Sequence, residues 1–68
     1  MPSTVIRRAL YDPDARSLTI LFTTGRQYIY TDVPLEVADA FRAAFSKGRY
    51  FNAHIRDNYD FTELDDAD

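Results

Sequence analysis

The chain has 68 residues, a net charge of −3, no cysteine, no tryptophan and a single histidine. That length allows one domain burying only about 60% of its unfolded surface, and the missing cysteines exclude disulfides and thiolate-bound zinc as staples. No stretch approaches the roughly 18 apolar residues of a membrane span, and a chain with 46% hydrophobic residues, including five Tyr and five Phe, is too apolar to stay disordered.

Residues 4–11 (TVIRRALY) open the chain as a β-type segment rich in β-branched and apolar side chains. Alternation places Ile6 and Leu10 on one face and Val5, Ala9 and Tyr11 on the other, with an arginine on each and room for a bulge. Asp12-Pro13-Asp14-Ala15 reads as a turn, because Pro13 presets φ and the aspartates can accept from nearby backbone N–H groups. Residues 17–23 form the second strand, with Leu18, Ile20 and Phe22 on one face. Thr23-Thr24-Gly25 is the next loop, and residues 26–31 form the third strand. A three-residue loop with Gly25 in the left-handed conformation pairs Ile20 with Tyr28 and Leu18 with Tyr30. This register gathers five large apolar bodies on one face, whereas a one-residue slip scatters them.

The hydrophobic period then changes. Pro34 suits a first helical position, and Asp32 lies upstream, near the positive end of the helix. Residues 34–45 carry Val37, Ala40, Phe41, Ala44 and Phe45 on one stripe, which can cover one face of the sheet. Ser46 and Gly48 interrupt this helix. A second short helix is expected over residues 47–55, capped by Ser46, with Phe51 and Ile55 on one face and Tyr50 and His54 on the neighbouring one. Tyr59, Phe61 and Leu64 pack back as an extended segment, and residues 65–68 form a disordered acidic tail. The expected architecture is α+β: a three-stranded antiparallel meander, then one main helix and a second short helix on one sheet face. Residues 3–64 make the single domain.

Charge is unevenly distributed. Residues 1–59 carry eight bases against six acids, a net of +2, and residues 60–68 carry five acids and no base. Seven of the eight bases are arginine, which pairs bidentately with carboxylates and phosphates.

Catalytic chemistry finds no constellation. His54 is the lone general-base candidate near neutral pH, and Ser3, Ser17 and Ser46 lack an elbow motif or a phosphate loop. One histidine with scattered carboxylates is a poor metal set. No enzyme, cofactor or metal is expected.

Two segments suggest binding. In Ser46-Lys47-Gly48-Arg49-Tyr50-Phe51-Asn52, a helix start with unpaired N–H groups lies among Lys47 and Arg49, with Arg56 about two turns on. Phosphate binding is one reading. The other is a capped helix start whose bases are solvated or paired with Glu36 and Asp39. Tyr28 and Tyr30 are the second segment, serving either as core residues with hydroxyls at the rim or as a platform on which bases stack.

Ser3-Thr4-x-Ile6, Tyr11-Asp12, Tyr28-x-Tyr30, Val33-Pro34 and the run from Ser46 to Asn52 followed by Ile55 together resemble the KTSC domain. That family is named for the C-terminus of some lysyl-tRNA synthetases and also occurs as small bacterial and phage proteins. The resemblance covers about residues 3–61. It implies a small α+β domain of no established activity for which RNA binding has been proposed, and points to Tyr28, Tyr30, Lys47, Arg49 and Asn52. After Arg56 this chain departs from the family pattern, with acids where further bases are common. The resulting expectation is a non-catalytic cytoplasmic module contacting tRNA-type RNA, or another phosphate-bearing ligand, weakly and salt-sensitively. Its candidate residues are Lys47, Arg49, Asn52, Arg56, Tyr28 and Tyr30. The alternative is a module for protein interaction or self-association, using an open sheet face with Leu21 and Ile29, or a sheet edge.

Overall fold

A computed structural model describes residues 6–64. The expectations for residues 3–5 and for the tail 65–68 fall outside the described residues. The strands are β1 (Ile6–Asp12), β2 (Ser17–Phe22), β3 (Gln27–Tyr30) and β4 (Phe61–Leu64). Between β3 and β4 come α1 (Leu35–Ala43), α2 (Lys47–Tyr50) and a π-helical segment, Phe51–Ile55. The described strands form one antiparallel sheet in the order β1-β2-β3-β4. The fold is therefore α+β with two helices, but the sheet has four strands rather than three. The extended segment after Tyr59 adds itself to the free edge of β3.

The β2–β3 hairpin follows the expected register. Leu18 pairs with Tyr30 and Ile20 with Tyr28. The Phe22 N–H donates to the Arg26 carbonyl at 2.9 Å, and Gly25 takes φ +96°. A side chain at that φ would be strained, so the turn requires glycine. The β1–β2 turn also forms as expected, with the Asp12 carboxylate accepting from the N–H groups of Asp14 (3.0 Å) and Ala15 (3.4 Å).

In β1 the simple alternation fails. The register shifts between Ile6 and Arg8, so a bulge at Arg7 turns Ile6 to the side of Ala9 and Tyr11, and Leu10 faces away. The bulge lets Ile6, Ala9 and Tyr11 all pack against the core. The Tyr11 hydroxyl then donates to the Val33 carbonyl at 2.6 Å, tying β1 to the segment before α1.

The main helix differs from expectation at both ends. Pro34 is its N-cap, with extended backbone, and contributes no side-chain hydrogen bond. Asp32 adopts a left-handed turn with φ 60°, a conformation its short polar side chain tolerates. The helix stops at Ala43, and Ala44 is extended. The expected stripe holds only in part. Ala38 and Phe41 are buried and Val37 packs beside them, but Ala40 is exposed and Phe45 is fully solvent-facing. The 100° step that would have carried Phe45 round to the core no longer operates beyond the last helical residue.

Leu18, Ile20, Tyr30, Val33, Phe41, Phe51 and Ile55 make the core between the sheet and the helices. The opposite sheet face carries Leu10, Leu21 and Ile29, with no covering helix among the described residues.

Candidate functional site

Four elements meet beside the core on the helical side of the sheet. From β2 and β3 come Phe22, Tyr28 and Tyr30, on the face that alternation assigns to the core. From β4 comes Phe61, directly opposite Tyr30 in the ladder. From the π-helical segment comes Phe51, whose ring centroid lies 5.5 Å from that of Phe22 and 5.4 Å from that of Tyr30, both edge-on. Phe61 lies 5.3 Å from Tyr28 and 5.4 Å from Tyr30. The five rings line an open groove of about 550 Å³.

The polar lining comes from the helical side and the hairpin. Asn52, Arg56 and Asp57 stand along one wall, and Thr23, Thr24 and Arg26 stand at the end. The π turn brings Asn52 and Arg56 to that wall. The Arg56 N–H donates to the Phe51 carbonyl five residues back, at 2.9 Å, so one extra residue is accommodated in the turn. Phe51 and Ile55 both reach the core, and Asn52 and Arg56, four residues apart like them, sit together at the groove. Such π turns often occur at functional sites.

Burial pushes the Tyr30 hydroxyl above its ordinary pKa. Tyr28 and Asp57 add to the rise, and the Arg56 guanidinium opposes it. Tyr30 therefore stays neutral at physiological pH and presents a hydroxyl rather than a phenolate. Arg26 is partly engaged by Glu63 of β4, with Nη1 and Oε2 3.4 Å apart. Among the described residues this is the one ion pair. Both side chains are about half exposed or more, so it holds Arg26 weakly.

Of the six residues singled out from the sequence, the groove brings together Tyr28, Tyr30, Asn52 and Arg56 and leaves out Lys47 and Arg49. The two tyrosines divide between the core and the groove wall. Tyr30 is core, only 3% exposed, and Tyr28 is a half-buried wall. At the start of α2, Ser46 caps as expected, its Oγ accepting from the Arg49 N–H at 3.4 Å. Lys47 reaches back to the Ala44 carbonyl at 3.5 Å, and neither base pairs with Glu36 or Asp39 among the described residues. His54 lies outside the groove, its ring 4.4 Å from that of Tyr50. Among the described residues no group of three or more His, Cys, Asp or Glu side chains could hold a metal ion. Sequence reasoning missed Phe22, Arg26, Asp57 and Phe61 as groove residues. The aromatic Phe61 in an extended segment was the one available signal for the wall that β4 supplies.

The run from Ser46 to Asn52 thus supplies a cap, a short helix and the start of the groove wall. A family model described as KTSC domain matches residues 2–59, which include that run. The chain belongs to the KTSC domain family. The crystal structure of a KTSC domain protein from Yersinia pestis is similar in fold, with a TM-score of 0.86 at 35% identity, covering 96% of this chain and 92% of that one. A protein of Tsukamurella paurometabola is 40% identical over 57 residues, which are 84% of this chain and 85% of that relative. A lysine–tRNA ligase of Nostoc sp. is 36% identical over 59 residues, which are 87% of this chain and 10% of the ligase. This KTSC domain therefore corresponds to about a tenth of the ligase it resembles. No helix among the described residues is long and apolar enough to cross a membrane.

Proposed function

We propose that this KTSC domain is a non-catalytic RNA-binding module that takes an unstacked nucleotide of a single-stranded segment into the aromatic groove. The observation that carries the reading is the convergence of Tyr28, Phe61, Asn52 and Arg56 on one open cleft. A base needs an aromatic face for stacking and edge donors and acceptors for orientation, and a phosphate needs a guanidinium. Tyr28 and Phe61 supply the first, Asn52 and the neutral Tyr30 hydroxyl the second, and Arg56 the third. The lysine–tRNA ligase relatives favour a tRNA-type partner and a cytoplasmic setting. Lys47 and Arg49, both exposed outside the groove, add only long-range attraction in this reading.

The local field makes binding weak. Asp57 stands on the wall beside Arg56, and Glu63 competes for Arg26. Fluorescence anisotropy of labelled tRNA and of a labelled single-stranded RNA at low salt tests the reading. Saturable binding that Tyr28→Ala and Arg56→Ala each weaken is expected. No saturable binding to either RNA, or binding indifferent to both substitutions, overturns it.

A further inference from the structure

We infer that the free edge of β1 is a homodimer junction, joining two copies antiparallel about Leu10 so that Arg8 of each meets Asp12 of the other. The inference is independent of the RNA reading, because the groove lies by β3 and β4 at the other end of the strand order.

Edge strands expose unpaired N–H and C=O groups and invite another strand unless they are blunted. The described sheet has two such edges. β4 is four residues long, carries Glu63 and follows Asp60, so two copies meeting there would oppose acid to acid. β1 is seven residues long, without proline or lysine. Its bulge is confined to Arg7, and the register runs continuously from Arg8 to Asp12.

Neither face of β1 is fully covered. Leu10 is 62% exposed on the bare face of the sheet. Ile6, Ala9 and Tyr11 point to the core but stay half-buried, whereas Leu18 and Ile20 of the next strand are sealed. A neighbouring strand would complete the burial on both faces.

Charge complementarity selects a second copy as that neighbour. Arg8, Leu10 and Asp12 share the bare face, opposite Leu21, Thr19 and Ser17. Antiparallel pairing about Leu10 places Arg8 against Asp12 of the second copy, twice by symmetry. Leu10 meets Leu10 at the centre, and on the core side small Ala9 faces large Tyr11. A shift by two residues in either direction loses both ion pairs. Opposite charges directly across an antiparallel pair stabilise it, and self-complementary patches close as two-fold dimers. Both exposed charges lack an ion-pair partner among the described residues. Asp12 uses Oδ1 for its own turn, which leaves Oδ2 to accept from arginine. The product is one continuous sheet with both helical layers on the same side.

Sedimentation equilibrium of the full chain, from micromolar to roughly millimolar concentration, tests the junction. A monomer–dimer equilibrium is expected. Arg8→Asp alone brings acids together, Asp12→Arg alone brings bases together, and each weakens the dimer by about tenfold or more. Mixing the two variants restores opposite charges at both contacts, so a heterodimer forms, readable by native mass spectrometry. Because Asp12 also holds a turn, Leu10→Asp and Leu10→Lys form a second pair at an exposed position, with the same expectation of weak homodimers and a restored heterodimer. A wild-type chain that stays monomeric overturns the inference. So do single variants that dimerise like the wild type, species larger than a dimer, or a failure of both mixtures to form heterodimers.

Discussion

Replacing Arg56 by alanine separates charge from stacking in the groove. Arg56 and Arg26 are the groove's two cations, and Arg26 is shared with Glu63. Each phosphate neutralised on a single strand contributes a slope of about −0.7 to log K against log salt, so full use of both arginines gives about −1.4. Affinity then falls about sevenfold between roughly 50 and 200 mM salt. Arg56→Ala leaves a slope of about −0.7 and a fall of only about threefold over the same range. Tyr28→Ala behaves differently. Its ring stands against Phe61 and Phe22 and carries no charge, so the slope stays the same while affinity at every salt drops by about 1–3 kcal/mol. Anisotropy titrations of a labelled single-stranded RNA at four salt concentrations measure both quantities at once. If Arg56→Ala leaves the slope unchanged, or if Lys47→Ala with Arg49→Ala reduces it as much, phosphate does not sit at the groove wall and the assignment is refuted.

Glu63→Gln releases Arg26 from its carboxylate partner, and RNA affinity rises about two- to fourfold at low salt while thermal stability changes by less than about 1 kcal/mol. Phe41→Ala removes a fully buried ring and costs about 3–5 kcal/mol, most of what a domain of this size has to lose, whereas Phe45→Ala costs nothing measurable. Urea unfolding of the two variants, followed by circular dichroism, reads this contrast directly. Tyr30 gives a pH dependence: because its folded pKa lies above the ordinary 10.0, its stabilising contribution is complete below pH 10.0 and is lost as pH rises through the higher folded value. Tyr30→Phe has no such proton to lose, so its stability falls less than that of the wild type between about pH 9 and pH 11 in parallel denaturant titrations.

The parts of the fold legible in the sequence are those specified by neighbours in the chain. The β2–β3 register follows from Leu18, Ile20 and Phe22 alternating against Tyr28 and Tyr30 across a loop that ends in Gly25. Ser46 announces its own helix start. β4 was not legible as a strand, because it is only four residues long, includes the weak β former Glu63, and its partner strand lies some thirty residues earlier. Nor was the end of α1 at Ala43, since neither glycine nor proline marks it and Phe45 continues the helical period. The candidate site divides in the same way. Tyr28, Tyr30, Asn52 and Arg56 were identifiable by residue type, but their convergence depends on β4 closing one side and the π turn orienting the other.

That π turn makes the groove tolerant of residue number, because its wide hydrogen bond absorbs one extra residue without turning the side chains beyond it. Deleting Ala53, an exposed residue within it, would change no aromatic ring, no charge and no cap. It would let the segment relax to the ordinary helical repeat with the Arg56 N–H still donating to the Phe51 carbonyl, now four residues back, so everything beyond keeps nearly its direction relative to Phe51. Ile55 would stay at the core, and Arg56 would stay at the groove wall. Two relatives could therefore differ in length by one residue in this turn and still build the same groove.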